Sequence, residues 1–326
     1  MTRGLLTTAV GSYPKPDYIN RARTQAAQGK MDPSGLRQLE RKATAHWVQI
    51  QEDLGMDILV DGEMYRGDMV TYFSENMEGF KISGLVRSYG NRYYRKPIAV
   101  GPVGRRGAIS VEWWQYTQSL TSKPVKAMLT GPYTMSEWSF NEYYPTFEDF
   151  VLDMARVVHE EAVELERAGA QYIQIDEPAV STRPEEMELA SRALGVVTRG
   201  LNAFTITHMC YGDFALVYDH LINLPVDMLD MEMANSNYSL LDMFRKAALP
   251  QDKSLSMGVT DAHSHLVEGV EEIKAGIKRG LELIPPERLY IKPDCGLKTR
   301  LEEEAIGKLR NMVQAVRETR RELGIE

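Results

Sequence analysis

Short apolar or β-branched runs alternate with longer amphipathic stretches along the chain, the order expected of parallel strands joined by crossover helices. Eight runs read as strands: residues 5–10, 57–63, 125–130, 172–177, 204–210, 228–233, 255–260 and 289–293. A helical stretch follows each. Residues 267–283 are typical, placing Val267, Val270, Ile273, Ile277 and Leu281 on one stripe at three- and four-residue steps, with Gly280 a weak point. Residues 147–168 have Thr146 as N-cap and Gly169 as stop, and residues 301–323 close the series. The pattern predicts an α/β fold, a single (β/α)8 TIM barrel spanning residues 1–326.

One irregularity interrupts the alternation. Residues 67–110 stand where a short loop should follow the second strand, a length that implies a structured insertion. Within it, YGNRYYRKP (Tyr89–Pro97) sets Gly90-Asn91 as a turn between tyrosine-rich arms, predicting a hairpin that plugs the bottom of the barrel or packs on its side.

Composition narrows the class. The 326 residues are 43% hydrophobic and 26% charged, and no apolar run approaches the ~20 residues of a membrane span. The N-terminus has neither the apolar core nor the small-residue cleavage site of a secretory signal, so a cytoplasmic protein with no membrane partner is expected. A net charge of −8 argues against nucleic acid, which demands a basic face. The two cysteines are not expected to form a disulfide in that compartment, and by themselves they read as buried thiols more readily than as metal ligands.

Position changes that reading of the cysteines. In an alternating barrel the chemistry gathers at the C-terminal strand ends, while the interior needs bulky apolar side chains. The expected strand ends carry Ser12, Glu63, Asp176 with Glu177, His208 with Cys210, Glu232, Asp261 with His263, and Cys295. His208 and Cys210, two apart on an extended segment, face the same way. Adjacent strands bring Glu232 beside them, and Cys295 reaches across the mouth. Two thiolates, an imidazole and a carboxylate make a tetrahedral set suited to zinc. An HxC pair alone would be packing; all four ligand types at strand ends point to a metal. Glu232, hard and exchangeable beside two soft thiolates, is the expected leaving ligand, and a substrate thiol taking its place would lose its proton. A zinc hydrolase is the competing chemistry, although such sites favour histidine and carboxylate ligands around an open water position.

TTAVGSYP (7–14), DILVDGEMYRGDMVTYF (57–73), TSKPVKAMLTGPYTMSEWSF (121–140), QIDEPA (174–179), THMCYGDF (207–214), GVTDAHS (258–264) and KPDCGLKTR (292–300) together resemble the catalytic C-terminal barrel of cobalamin-independent methionine synthase, here as a short, stand-alone form. The resemblance covers nearly the whole chain. It implies a zinc-dependent methyltransferase that converts L-homocysteine to L-methionine through a zinc-bound thiolate, and it places the zinc ligands on the same four residues, His208, Cys210, Glu232 and Cys295. It further implies that homocysteine meets Ser12 and the backbone near Val10, that Glu63 and Asp176 hold its amino group, and that His263 is the proton donor. Structural alternatives stand beside these roles. Glu63 and Asp176 could pair internally with Arg66 or another base, His265 competes with His263, Asp261 could fix the histidine tautomer, and Glu177 is either a supporting or a catalytic carboxylate. His46, His159 and His220 read as packing or surface residues.

The long, folate-dependent members carry an additional N-terminal barrel with no counterpart here, and their acidic folate contact after DEPA falls near Thr182. Arg92, Tyr93 and Trp138 are the candidate donor-binding residues, Trp138 as a platform for a flat donor or as simple core. The missing half leads to the expectation of methylcobalamin, or a methylated corrinoid on a carrier protein, as methyl donor, since methyl on cobalt needs less activation than methyl on a tertiary amine. Methyltetrahydrofolate is the alternative donor, coenzyme M an alternative thiol, and a corrinoid- or zinc-binding module of a complex the non-enzymatic alternative.

Overall fold

The apolar runs form short parallel strands flanked by helices in a computed structural model, which describes residues 4–87, 93–210, 212, 214 and 217–325. In chain order the strands are β1 (Met77–Arg87), β2 (Tyr93–Arg105), β3 (Lys126–Thr130), β4 (Phe140–Asn141), β5 (Tyr172–Asp176), β6 (Phe204–Met209), β7 (Met228–Met231), β8 (Ser254–Gly258) and β9 (Leu289–Lys292). Six of them make one sheet in the order β3-β5-β6-β7-β8-β9. β5 runs parallel to β6 with Asp176 opposite His208, and β8 parallel to β9 with Gly258 opposite Lys292. Every residue of β3, β7, β8 and β9 is buried, as in parallel strands covered on both faces.

Two of the eight expected strands, residues 5–10 and 57–63, are absent as strands and make only the isolated bridges Thr7↔Ile291, Ser12↔Gly62 and Leu59↔Val125. Side chains share the pairing with main-chain bonds such as Thr8 N to Ile291 O (3.0 Å) and Leu59 N to Pro124 O (2.9 Å). The Gln51 amide accepts from Val60 N and donates to Val60 O, and the Asp57 carboxylate accepts from both Thr7 N and Thr7 Oγ1. Left-handed backbone stands at the start of the first segment, at Leu5 (φ 56), and at the end of the second, at Glu63 (φ 57).

Helix boundaries follow local chemistry. Phe147–Ala168 starts where Thr146 Oγ1 accepts from Asp149 N (3.0 Å) and ends on Gly169 at φ 110. Val270–Leu281 is shorter than the periodicity suggests because Gly269 serves as N-cap and leaves Val267 outside. The last helix, Glu302–Leu323, opens with Glu304 accepting from Leu301 N and closes on Gly324 at φ 68.

Within the stretch 67–110, β1 and β2 pair antiparallel, with Arg87 opposite Tyr93. The expected Gly90-Asn91 turn lies outside the described residues. β4 adds to β2 in parallel, completing a three-stranded sheet. Gly79 (φ 82) sits at a bulge where a Cβ would lie 2.4 Å from Pro102 O, so a larger residue would part the strands there.

The chain divides into two compact units, one of Met1–Tyr65, Gln115–Lys126 and Asp230–Glu326, the other of Arg66–Trp114 and Ala127–Leu229. Trp47 stacked on Tyr13 (4.3 Å) anchors the core of the first, with Met257, Ile291, Leu309 and Met312 also buried there. Phe150, Met154, Ile173, Ile175 and Leu194 are buried in the second. No helix among the described residues is long and apolar enough to cross a membrane.

Candidate metal centre

The end of β6 holds two of the expected ligands. His208 is 3% and Cys210 5% exposed. Glu177 N donates to His208 O (2.9 Å), and Ser181 Oγ lies 2.7 Å from Cys210 O. Both ligand carbonyls are therefore tied to the segment after β5. Asp176 is buried and accepts from Gln174 Nε2 (2.7 Å). Glu177 caps the helix Pro132–Glu137, its carboxylate accepting from Tyr133 N (3.0 Å) and Thr134 N (2.7 Å). A Cβ on Gly131 would lie 2.1 Å from that carboxyl group. Burial pushes the Glu177 carboxyl up to about 7, the Asp176 charge adding to the rise, while the bonds from Thr134 and Tyr133 oppose it. Both oxygens are engaged by this cap.

The loops after β7 and β9 hold the other two. Glu232 is 5% exposed, one residue beyond β7; Cys295 is half-buried. Asp294, fully buried beside Cys295, accepts from Met233 N and Ala234 N (both 2.9 Å) through Oδ1 and from Asn235 N (2.7 Å) through Oδ2. Below it Lys292 pairs with Asp230 at 2.7 Å, both side chains 0% exposed, and donates to Asp294 O (2.8 Å). On the other side of Cys295, Leu297 N donates to Ser12 O (2.7 Å), and a Cβ on Gly296 would lie 2.1 Å from Ser12 Oγ. Ser12 thus packs on the Cys295 loop, near Val10, whose neighbour Ala9 accepts from the buried Lys126 ammonium through its carbonyl (2.7 Å). Glu63 N donates to Asp61 Oδ1 (2.8 Å). Desolvation lowers the Lys15 ammonium to about 8, and the Glu63 charge works against that fall.

One donor atom from each of His208, Cys210 and Cys295 lies within 4.8 Å of the others. Tetrahedral donors ~2.0–2.3 Å from zinc sit roughly 3.5–3.8 Å apart, so two thiols and an imidazole this close together have the chemistry and proximity to share one ion. Glu232 is not part of the group, although it is buried at its expected strand end.

The remaining candidates separate. His263 is exposed, and its backbone N donates to Asp261 Oδ1 (2.8 Å), so the contact with Asp261 runs through the main chain. His265 Nδ1 lies 2.8 Å from Glu304, which ties it to the last helix. Arg66 donates to Met128 O and faces the Phe73 ring. Tyr93 is 62% exposed on β2, Trp138 is half-buried as C-cap of the helix Pro132–Glu137, and Arg92 lies outside the described residues. His46 meets Glu302 at the surface, and His159 meets the Val197 carbonyl. The sequence reading passed over Asp230, Lys292 and Asp294. Their signal was charge inside otherwise apolar strands, in MLDMEM and LYIKPDC.

Parallel strands flanked by helices, with imidazole and thiol groups at the strand ends, define the class as an α/β fold that carries its polar side chains at the C-terminal ends of its strands. A model of the catalytic domain of cobalamin-independent synthase matches residues 5–318. The methionine synthase of Pyrococcus furiosus is 39% identical over 320 residues, covering 98% of this chain and 94% of the relative. The 5-methyltetrahydropteroyltriglutamate–homocysteine methyltransferase of Rhodococcus jostii is 39% identical over 331 residues, 98% of this chain but 44% of the relative. Among solved structures, a B12-independent methionine synthase from Shewanella sp. W3-18-1, in complex with selenomethionine, superposes with a TM-score of 0.87 at 27% identity, covering 98% of this chain and 99% of that one. The chain belongs to the cobalamin-independent methionine synthase family and is a methyltransferase. That membership corrects the expectation of a methylcobalamin or corrinoid-carrier donor: the matched family is described as cobalamin-independent, and the Shewanella enzyme as B12-independent.

Proposed function

We propose that this chain methylates L-homocysteine to L-methionine at a zinc site formed by His208, Cys210 and Cys295, with Glu232 as the exchangeable fourth ligand and a 5-methyltetrahydropteroylglutamate as methyl donor. The gathering of those three donors carries the reading. Zinc, when bound, supplies the positive charge that keeps a substrate thiol deprotonated at neutral pH. The protein does the rest. Ser12 and the backbone at Val10 line the approach to Cys295, Glu63 and Asp176 receive the ammonium group, and His263 donates the proton taken up by the donor nitrogen as its methyl group leaves. An exposed histidine suits that task, because it can exchange its proton with solvent between turnovers. Trp138 and Tyr93 are the aromatic surfaces offered to a flat pterin. The reading includes one (β/α)8 catalytic barrel with residues 67–110 inserted; the six-stranded sheet and the bridges of Thr7 to Ile291 and Leu59 to Val125 support it.

The donor in the name of the Rhodococcus relative favours the pterin over the corrinoid. The test supplies zinc-loaded protein with homocysteine and either 5-methyltetrahydropteroyltriglutamate or methylcobalamin, and measures methionine. The pterin is expected to turn over faster; faster turnover with methylcobalamin would reject this donor.

A further inference from the structure

Two ligand-bearing loops meet on one carboxylate. Asp294 precedes Cys295, and its side chain accepts the three successive backbone N–H groups that follow Glu232, those of Met233, Ala234 and Asn235. Its own N donates to Thr260 O (2.9 Å), and its carbonyl accepts from Lys292, which is clamped in turn by Asp230. Gly258 completes the seat: a Cβ there would lie 2.0 Å from Asp294 Oδ1 and 2.7 Å from its Cα. A buried carboxylate satisfied by three N–H donors is a rigid joint, because each bond lost would strand a polar group without water.

We propose that Asp294 is a positioning residue that fixes the backbone bearing Glu232 against the backbone bearing Cys295. With zinc bound, the Glu232 side chain would then be free to give way to a substrate thiol while its backbone and Cys295 keep their places. A loop held only by packing would drift when its ligand was released, whereas this one is anchored at the three residues after Glu232. The inference rests on the proposed exchange at Glu232, and it adds the residue that makes the exchange repeatable.

The test uses the full chain with Asp294→Asn and Gly258→Ala. The amide retains one acceptor oxygen but turns an N–H toward a backbone donor; the added methyl displaces the carboxylate from the opposite side. Zinc affinity is measured by competition with a chromophoric chelator. Zinc-edge X-ray absorption counts sulfur and oxygen ligands with and without homocysteine, and kcat and KM for homocysteine are separated. Zinc affinity is expected to fall about 10- to 100-fold in both variants, the range found when groups orienting metal ligands are removed. KM is expected to rise more than kcat falls. The shift from an oxygen to a sulfur ligand on adding homocysteine should be partial in the variants and complete in the parent. Zinc affinity within twofold of the parent in a folded variant, with an unchanged ligand shift, would overturn the proposal. Loss of the native circular dichroism in both variants would also overturn it, since Asp294 would then be a determinant of folding. Absence of any ligand shift in the parent would reject the exchange at Glu232, while the affinities would still report on Asp294.

Discussion

Replacing Lys292 with Met tests the buried charges beneath the centre. Lys292 and Asp230 are both 0% exposed, and the ammonium bonds Asp230 Oδ1 at 2.7 Å and Asp294 O at 2.8 Å. Methionine matches the length and apolar stem of lysine, so the change mainly deletes charge and donors. The Asp230 carboxylate is then left buried with its cation gone, a defect that costs about 3–5 kcal/mol. With an unfolding entropy of ~2.1 cal/mol/K per residue, that corresponds to a fall in Tm of about 4–7 °C for a chain of this size. The double variant Lys292→Met with Asp230→Asn removes both charges and should recover roughly half or more of the loss, because neither ion then needs solvation. Urea unfolding of the parent, the two single variants Lys292→Met and Asp230→Asn, and the double variant closes the cycle. Repeating it between ~0.1 and ~1 M salt should leave the coupling unchanged, since screening acts on exposed pairs. A loss below about 1 kcal/mol for the single variant, or a double variant no more stable than the single, would refute the account of a desolvated pair.

Cys210→Ser and Cys295→Ser should each drop bound zinc from about one ion per chain to a small fraction after dialysis against a mild chelator, measured by atomic emission; near-full occupancy in either would remove that residue from the ligand set. His263→Gln should lower kcat with the pterin donor by about 10²- to 10⁴-fold and leave zinc content intact, while His265→Gln, which breaks only the contact with Glu304, should stay within a few-fold; equal losses would reject the choice between them. Glu177 has its carboxyl raised to about 7 from 4.5, so between those values the folded chain keeps a proton that the unfolded chain has released, and stability falls as pH rises through that window by about 3 kcal/mol. Glu177→Gln cannot titrate and should abolish that slope in urea unfolding at pH 5 and pH 7.5; an unchanged slope would assign the pH dependence elsewhere.

Where residues bond to near neighbours or bury one regular face, the fold was legible. Thr146 and Gly169 bound their helix as their side-chain and backbone preferences dictate, and the buried strands β5 to β9 fall on the predicted runs. Residues 5–10 and 57–63 have the composition of strands, yet some of their hydrogen bonds go to the side chains of Gln51 and Asp57 rather than along a regular ladder. Nothing in a local pattern distinguishes a backbone N–H destined for a neighbouring strand from one destined for a glutamine nine residues away. Val60 is equally apolar in either case.

The candidate centre was legible for a different reason. Cysteine and histidine are scarce in this chain, so their occurrence at strand ends carried information that its many carboxylates could not. One donor atom from each of His208, Cys210 and Cys295 lies within 4.8 Å of the others. Glu232 is at its strand end but outside the gathered group, as carboxylates report position weakly. Asp294 shows why: of the acids near the centre, it is occupied by backbone N–H groups and Glu177 by a helix start, and neither assignment follows from residue type. The methyl donor was the least legible feature, because the corrinoid expectation rested on the second barrel of the long enzymes and on Thr182 standing near their acidic folate contact, and on no residue that would recognise a corrinoid. A donor with a flat ring and an anionic tail would have to be recognised by surfaces such as Trp138 and Tyr93. Aromatic residues on partly exposed loops are too common to identify a ligand by themselves, and that is why the donor comparison, with both candidates offered to the same zinc-loaded protein, decides more about this enzyme than any further reading of its strand ends.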